Sequence, residues 1–357
     1  MNKNIENIIR DKIRNSGPIN IEDYMNICSY NEDFGYYRRA EPIGIKGDFI
    51  TAPEVSQMFG ELLAIWLLDI WLSLGKIKIN IIELGPGNGS LMSDIIRVAK
   101  KYPEFLNQIS IYLFEVNQNL SSIQSQNIKY PYKNIESIDD LPIGTNFFIA
   151  NEFFDAIPIR QFINIENNWH ERLIGLNDES QLCLLHGNIE NKLMGDFVSS
   201  DLNNHNLVYE ISFQQEELFS KIINKIGNHG GILIFDYAKI IDGFGDTLQA
   251  ISNHKYVSIF HKPGSTDLTA YVNYKRYIEL AKKGQLNHYG PISQREFLLG
   301  MGIKERYNAL KKNANNIQKD KLFRQLHRLL DNDKMGEIFK TIYFSNNQNT
   351  IPLPLKR

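Results

Sequence analysis

A carboxylate and three alternating glycines stand together in Glu83-Leu84-Gly85-Pro86-Gly87-Asn88-Gly89, directly after the run Ile79-Asn80-Ile81-Ile82. Glycine admits positive φ and close ligand approach, and a helix starting after the loop offers unpaired N–H groups. At the carboxyl edge of a parallel sheet such a turn is a ligand seat. Those donors suit the carboxylate of a methionine moiety, whereas Glu83 repels a pyrophosphate and attracts an ammonium or a sulfonium. Ser90 stands where the dinucleotide fingerprint has its third glycine. Both details favour S-adenosylmethionine over NAD, with Glu83, Gly85, Gly87 and Gly89 as cofactor residues. Glu115, closing Ile111-Tyr112-Leu113-Phe114-Glu115, is placed to accept hydrogen bonds from ribose hydroxyls, which either nucleoside requires.

A second polar group, Asn151-Glu152-Phe153-Phe154-Asp155, ends another apolar run and so faces the same edge. Asn151 is grouped with the cofactor residues, and Glu152 and Asp155 are the candidates for catalysis. Methyl transfer is an in-line displacement that needs alignment and a dry pocket. For a guanidinium acceptor, a carboxylate also grips the planar donor fork and aims one nitrogen. A turn cap at Asp155 and a structural Arg partner for Glu152 would explain the same residues. Asp236 and Tyr237 close the next run and are further pocket candidates. His254, His261 and His288 have no assignable acid or nucleophile partner and read as structural or surface groups. Tyr36-Tyr37-Arg38-Arg39 reads as an exposed turn.

These residues must be held by alternating strands and helices, which imply βαβ units and a parallel sheet. The expected fold is α/β, a Rossmann-like S-adenosylmethionine-dependent methyltransferase fold with an inserted β element and a helical insertion. Residues 1–46 form an N-terminal helical segment, with a second helix started by Asn20. Residues 47–268 form the core, with a buried helix from about 55 to 74 and a β insertion at about 161–210. Residues 269–335 form the mostly helical insertion, where Ser293 caps a helix and the amphipathic stretch 317–330 packs as core. Residues 336–357 supply the final strand and tail. A short strand is expected near Ile128–Tyr132, and residues 255–260 are expected to pair with the final strand.

Composition narrows the class. The 357 residues carry 39 Lys and Arg against 41 Asp and Glu, without the basic excess of a nucleic-acid enzyme. The two cysteines, Cys28 and Cys183, lie outside any CxxC or Cys/His cluster, so neither a disulfide framework nor a metal site is indicated. The stretch 59–75 includes Glu61 and Asp69 and is too short to span a bilayer. No signal or transit leader is visible, and a cytoplasmic protein is expected.

The blocks GYYRR, GDFITAPEVSQMFGELLAIW, ELGPGNGSLMSDIIR, NEFFDAIP, PGSTDLTAYVNY, GPISQREFLLGMGI and KMGEIFK follow one another from about Phe34 to Phe344. In order and spacing they closely resemble the MidA family, which includes the mitochondrial complex I assembly factors that are protein arginine methyltransferases. The chain looks like a bacterial cytoplasmic relative. The resemblance implies S-adenosyl-L-methionine as cofactor and a protein substrate, with symmetric dimethylation of an arginine in a peripheral-arm subunit of complex I, the NADH:quinone oxidoreductase. It further implies that residues 47–57 close over the cofactor, with Thr51, Pro53 and Glu54 near it, and that residues 264–271 line the acceptor side. A small-molecule methyltransferase and a non-catalytic cofactor-binding assembly chaperone are the alternatives.

Overall fold

The computed structural model describes residues 4–38, 51–195, 197–198, 206–239, 243–252, 255–347 and 352–355. The apolar runs become the strands of one sheet: β1 (Ile79–Leu84), β2 (Ile109–Phe114), β3 (Lys133–Ile135), β4 (Asn146–Asn151), β5 (Gly231–Lys239), β6 (Asn287–Ser293) and β7 (Phe339–Ser345). Their order is β6-β7-β5-β4-β1-β2-β3, with Val272–Asn273 extending off β5. β7 runs antiparallel to both neighbours, and the pairings within β5-β4-β1-β2-β3 are parallel. Every residue of β1 is buried, as a strand covered by helices on both faces must be.

The helices that matter for the site are α1 (Ile5–Ser16), α2 (Ile21–Tyr30), α3 (Ala52–Val55), α4 (Gln57–Ser73), α5 (Ser90–Ala99), α6 (Phe213–Lys225), α7 (Tyr274–Lys283), α8 (Gln294–Gly300), α9 (Ile303–Lys312) and α10 (Asn316–Leu330). α4 is apolar nearly all round because it is enclosed nearly all round. Its Trp66 and Trp71 are each 2% exposed within the core on one face of the sheet. The other face is closed by α6 and α7, where Phe219 stacks on Tyr277 at 4.4 Å. A third cluster joins Ile5, Ile9 and Ile13 of α1 to α2 and to a separate antiparallel sheet. That sheet is built from Arg160–Ile165, Asn168–Leu176, Leu182–Ile189 and Val208–Ile211, with Ile19–Asn20 on its edge. Asn20 caps α2 by accepting the Asp23 N–H, and Ser293 caps α8 in a reciprocal box with Glu296.

Four expectations are corrected. The third strand lies at Lys133–Ile135, not at 128–132, because Pro131 has no N–H for a ladder and Ile128 is packed against Gly89 instead. The final strand pairs with β6, whereas Lys255–Val257 belongs to a three-stranded sheet with Gln249–Ser252 and Asp267–Thr269. The stretch 269–335 is not all insertion: it supplies α7 to one face of the main sheet and β6 to its edge, and only the helices from α8 onward lie beyond them. α10 is core only at Leu329 and Leu330; Ile317 is 80% and Phe323 52% exposed. Among the described residues, no helix is long and apolar enough to cross a membrane.

Candidate active site

The carboxyl ends of β1, β2 and β4 open into a cleft of about 390 Å³, a size that suits a small organic ligand. Gly85, Gly87, Phe114, Glu115, Glu152 and Phe153 line it, and Tyr30 and Tyr37 add phenol rings. Gly85 has φ +65°, and a Cβ there would stand 2.7 Å from the Phe153 ring, so only glycine lets the loop and the ring meet. Gly87 has φ +52° with open space beside it, so a side chain there would strain the backbone and stand in the cleft mouth.

Acidic residues tie the loop in place. Glu115 Oε1 accepts the Asn117 N–H at 2.8 Å, and the amides of Gly87 and Val116 also reach its carboxylate. Burial raises the Glu115 pKa, while these amides and the nearby Arg38 charge oppose the rise. Glu83 is 4% exposed and sits behind the cleft wall. It takes the Met92 N–H of α5, while its Oε2 is buried without a partner. Asn88 Oδ1 accepts the Ser90 N–H at 2.9 Å. The first turn of α5 is thus only partly open to a ligand, since the protein satisfies two of its amides itself.

Glu54 and Glu152 fix the segment above the strands. Thr51 and Glu54 form a reciprocal cap on α3, with Pro53 in its first turn, and Glu54 Oε1 accepts from Asn88 Nδ2 at 2.7 Å. Glu152 Oε1 accepts the Ala52 N–H at 3.0 Å and Asn151 Nδ2 at 3.2 Å. α3 therefore bridges the glycine loop and the end of β4. Residues 47–50 of the expected covering loop lie outside the described residues.

Glu152 is held at φ +52°, its N–H donating to Phe235 O at 2.8 Å. Burial pushes its carboxyl up to about 8, and the nearby Asp155 and Glu54 charges act in the same direction. Among the described residues no Arg or Lys forms an ion pair with it, so the structural partner considered for it is not what the fold supplies. Asp155 is placed differently from the expectation. It is 3% exposed, does not line the cleft, and pairs its carboxyl with that of Asp236. Two buried carboxyls in contact share a proton because both cannot be charged. Burial, followed by the Asp236 and Asp267 charges, drives Asp155 well above the usual range, and burial raises Asp236 to about 7. Asp236 Oδ2 accepts the N–H groups of Phe154 at 2.9 Å and Phe153 at 3.3 Å. The pair thus secures the turn that presents Glu152 and Phe153.

The aromatic wall was missed in the sequence. Tyr36-Tyr37-Arg38 is not an exposed turn: Tyr36 is buried, Tyr37 donates to Asp267 Oδ1 at 2.6 Å, and Arg38 donates to the Val116 carbonyl. Tyr30 donates to Ala156 O at 3.1 Å and packs on Tyr37 at 5.5 Å. The doubled tyrosine beside a glycine was the signal available. Arg39 and His254 lie outside the described residues, and neither His261 nor His288 lines the cleft.

The residues fit a ligand that carries both donors and positive charge. Glu115 and Glu152 present carboxylates to the cleft, and the glycine loop leaves it open beside Glu115, while the unpartnered acceptors Glu83 Oε2 and Asn151 Oδ1 lie behind its lining.

A family model for S-adenosyl-L-methionine-dependent methyltransferases matches residues 62–292. The mitochondrial protein arginine methyltransferase NDUFAF7 of Danio rerio is 34% identical over 369 residues, which cover 95% of this chain and 86% of the relative. The Homo sapiens protein of the same name is 32% identical over 358 residues, covering 92% and 80%. A solved Burkholderia thailandensis structure bound to S-adenosyl-homocysteine matches with a TM-score of 0.83 at 20% identity, covering 96% of this chain and 91% of that one. A native structure from the same species gives 0.84 at 20% identity, with 99% and 95% covered. Both likenesses bear out the α/β methyltransferase fold.

Proposed function

The chain belongs to the family of S-adenosylmethionine-dependent methyltransferases that includes the mitochondrial NDUFAF7 proteins, and we propose that it methylates arginine in a protein. The finer reading is symmetric dimethylation of an arginine in a peripheral-arm subunit of complex I. The names of the relatives support the residue type, and the position of Glu152 supports the chemistry.

S-adenosylmethionine, when bound, supplies a methyl group made electrophilic by the sulfonium. Glu115 and the loop Gly85–Gly89 would hold it, with Glu83 and Asn151 behind them, and Thr51, Pro53 and Glu54 would cover it. The observation that carries the proposal is the Glu152 carboxylate, which faces the cleft with only amide donors bound to it. A guanidinium approaching it offers two parallel N–H groups, and its positive charge favours the ionised carboxylate. Glu152 then aims one nitrogen along the line of displacement. It also takes the proton that this nitrogen loses on forming its new N–C bond. Phe153, Tyr30 and Tyr37 keep water from the reacting atoms.

The test is transfer of labelled methyl from S-adenosylmethionine to a purified peripheral-arm subunit of complex I, followed by amino-acid analysis. Label in symmetric dimethylarginine is the expected result, with Glu152→Gln lowering the rate about 100-fold or more while S-adenosylhomocysteine affinity is retained. Full activity in Glu152→Gln removes that residue from the mechanism. Label found only in free metabolites overturns the protein substrate.

A further inference from the structure

The hairpin of α9 and α10 concentrates positive charge that the cleft does not use. Of the chain's 39 Lys and Arg and 41 Asp and Glu, residues 303–330 hold eight and two, which leaves 31 against 39 elsewhere. One of the eight, Arg306, turns inward to Glu61. On α10, Ile317, Lys321, Arg324 and Arg328 follow at the spacing that lines up one side of a helix, and all four are exposed. On α9, Lys304 and Lys311 stand two turns apart and are exposed, as is Lys312. The apolar sides of both helices are taken by the fold: Tyr307, Leu310, Leu326 and Leu329 pack into the core that contains Ala52 and Val55 of α3. α10 thus rests on α3, whose Ala52 N–H holds Glu152. Between the two helices a shallow cavity of about 300 Å³ opens to the surface, with Tyr307 and Phe323 as its rings and Lys311 and Lys319 among its other walls.

Like charges three and four residues apart on a helix repel, so the line Lys321, Arg324 and Arg328 costs helix stability. Among the described residues no acid pairs with Lys321 or Arg324. A face that only meets water mixes its signs, and this one does so little. We propose that the outer face of the α9–α10 hairpin is the docking surface for an acidic segment of the protein that brings its arginine to Glu152. This rests on the arginine reading above. Such a partner meets opposite charge at both places, its cation at the cleft carboxylates Glu115 and Glu152 and its acids at the hairpin. The 15 residues of α10 extend about 22 Å, the length of a short acidic helix or of about six or seven extended residues. An apolar side chain among the acids fits the cavity between Tyr307 and Phe323. An anionic membrane suits the face less well, because a helix bound to lipid turns an apolar side outward and these helices turn theirs inward. A nucleic acid running past the hairpin would meet the acid excess of the remaining chain.

The experiment is fluorescence anisotropy of a labelled peptide that repeats Glu-Glu-Leu, titrated with the full-length protein saturated with S-adenosylhomocysteine. The expected result is saturable binding that weakens as salt rises, and that falls about 10-fold or more in the double variant Lys321→Glu/Arg324→Glu. Both positions are exposed, so the affinity for S-adenosylhomocysteine and the melting temperature should stay at their wild-type values. Wild-type peptide affinity in the charge-reversed protein overturns the docking surface, as does equal binding of a peptide that repeats Gln-Gln-Leu. Binding of phosphatidylserine vesicles or of single-stranded RNA through Lys321 and Arg324, with no binding of the acidic peptide, overturns it in favour of a phosphate surface. Acidic-peptide binding that depends on these two residues, in a protein that methylates only free metabolites, would uphold the acidic docking surface and overturn the arginine reading alone.

Discussion

Glu83 and Glu152 are both raised to about 8 chiefly by burial, so each is largely protonated in the ligand-free protein near neutral pH. A folded-state pKa above the unfolded one means that the native state holds extra protons between about pH 4.5 and 8. The stability they contribute is present at the acid end of that window and is lost as pH rises through 8. The melting temperature of the ligand-free protein should therefore fall from pH 6 to pH 9. A cationic ligand favours the ionised forms, so S-adenosylmethionine should release protons on binding at pH 7, and S-adenosylhomocysteine, without the sulfonium, fewer. Calorimetry in phosphate and in Tris measures the difference, and heats independent of the buffer would contradict it. At this scale the sequence showed which carboxylates end the strands but not what each one meets. Asp155 and Glu152 are three residues apart and read alike as candidates, yet one pairs with Asp236 from a distant strand and the other faces the cleft.

At the scale of elements, α4, α5 and α9 meet at a buried carboxylate. Glu61, 6% exposed, accepts from Arg97 at 3.0 Å and from Arg306 at 2.7 and 3.0 Å. Glu61→Ala leaves Arg97 with Asp94 and takes both of these carboxylate bonds from Arg306. The expected cost is about 1–3 kcal/mol, read as a lowered denaturation midpoint with unchanged denaturant dependence. An unchanged midpoint would show that solvent replaces the carboxylate at no cost. The helices and inner strands were legible because their apolar residues follow local periodicity, as in α1 with Ile5, Ile9 and Ile13. The partner of the last strand was not, because β7 chooses between distant segments. β6 wins by reaching the core with Tyr289 and Ser293, whereas Tyr256 in the expected partner stays exposed.

The molecule as a whole brings its chemistry to one sheet edge. β1 and β2 deliver the glycine loop and Glu115, β4 delivers Glu152, and β5 delivers Asp236 and Tyr237. The glycine-loop end of the cleft could be read from the chain because its residues are contiguous. The aromatic wall could not: Tyr37 reaches Asp267 across 230 residues of sequence, and Tyr30 reaches Ala156 across 126. The most direct test of the account is the claim that the glycine edge is the cofactor seat. Calorimetric titration with S-adenosylmethionine, S-adenosylhomocysteine and NAD should show saturable binding of the two adenosyl ligands alone. Gly87→Val should abolish it, because the valine side chain fills the open cleft mouth and holding it at the positive φ costs about 1–2 kcal/mol, which displaces the loop. Undiminished adenosyl binding in folded Gly87→Val, or saturable NAD binding in the wild type, would contradict the account.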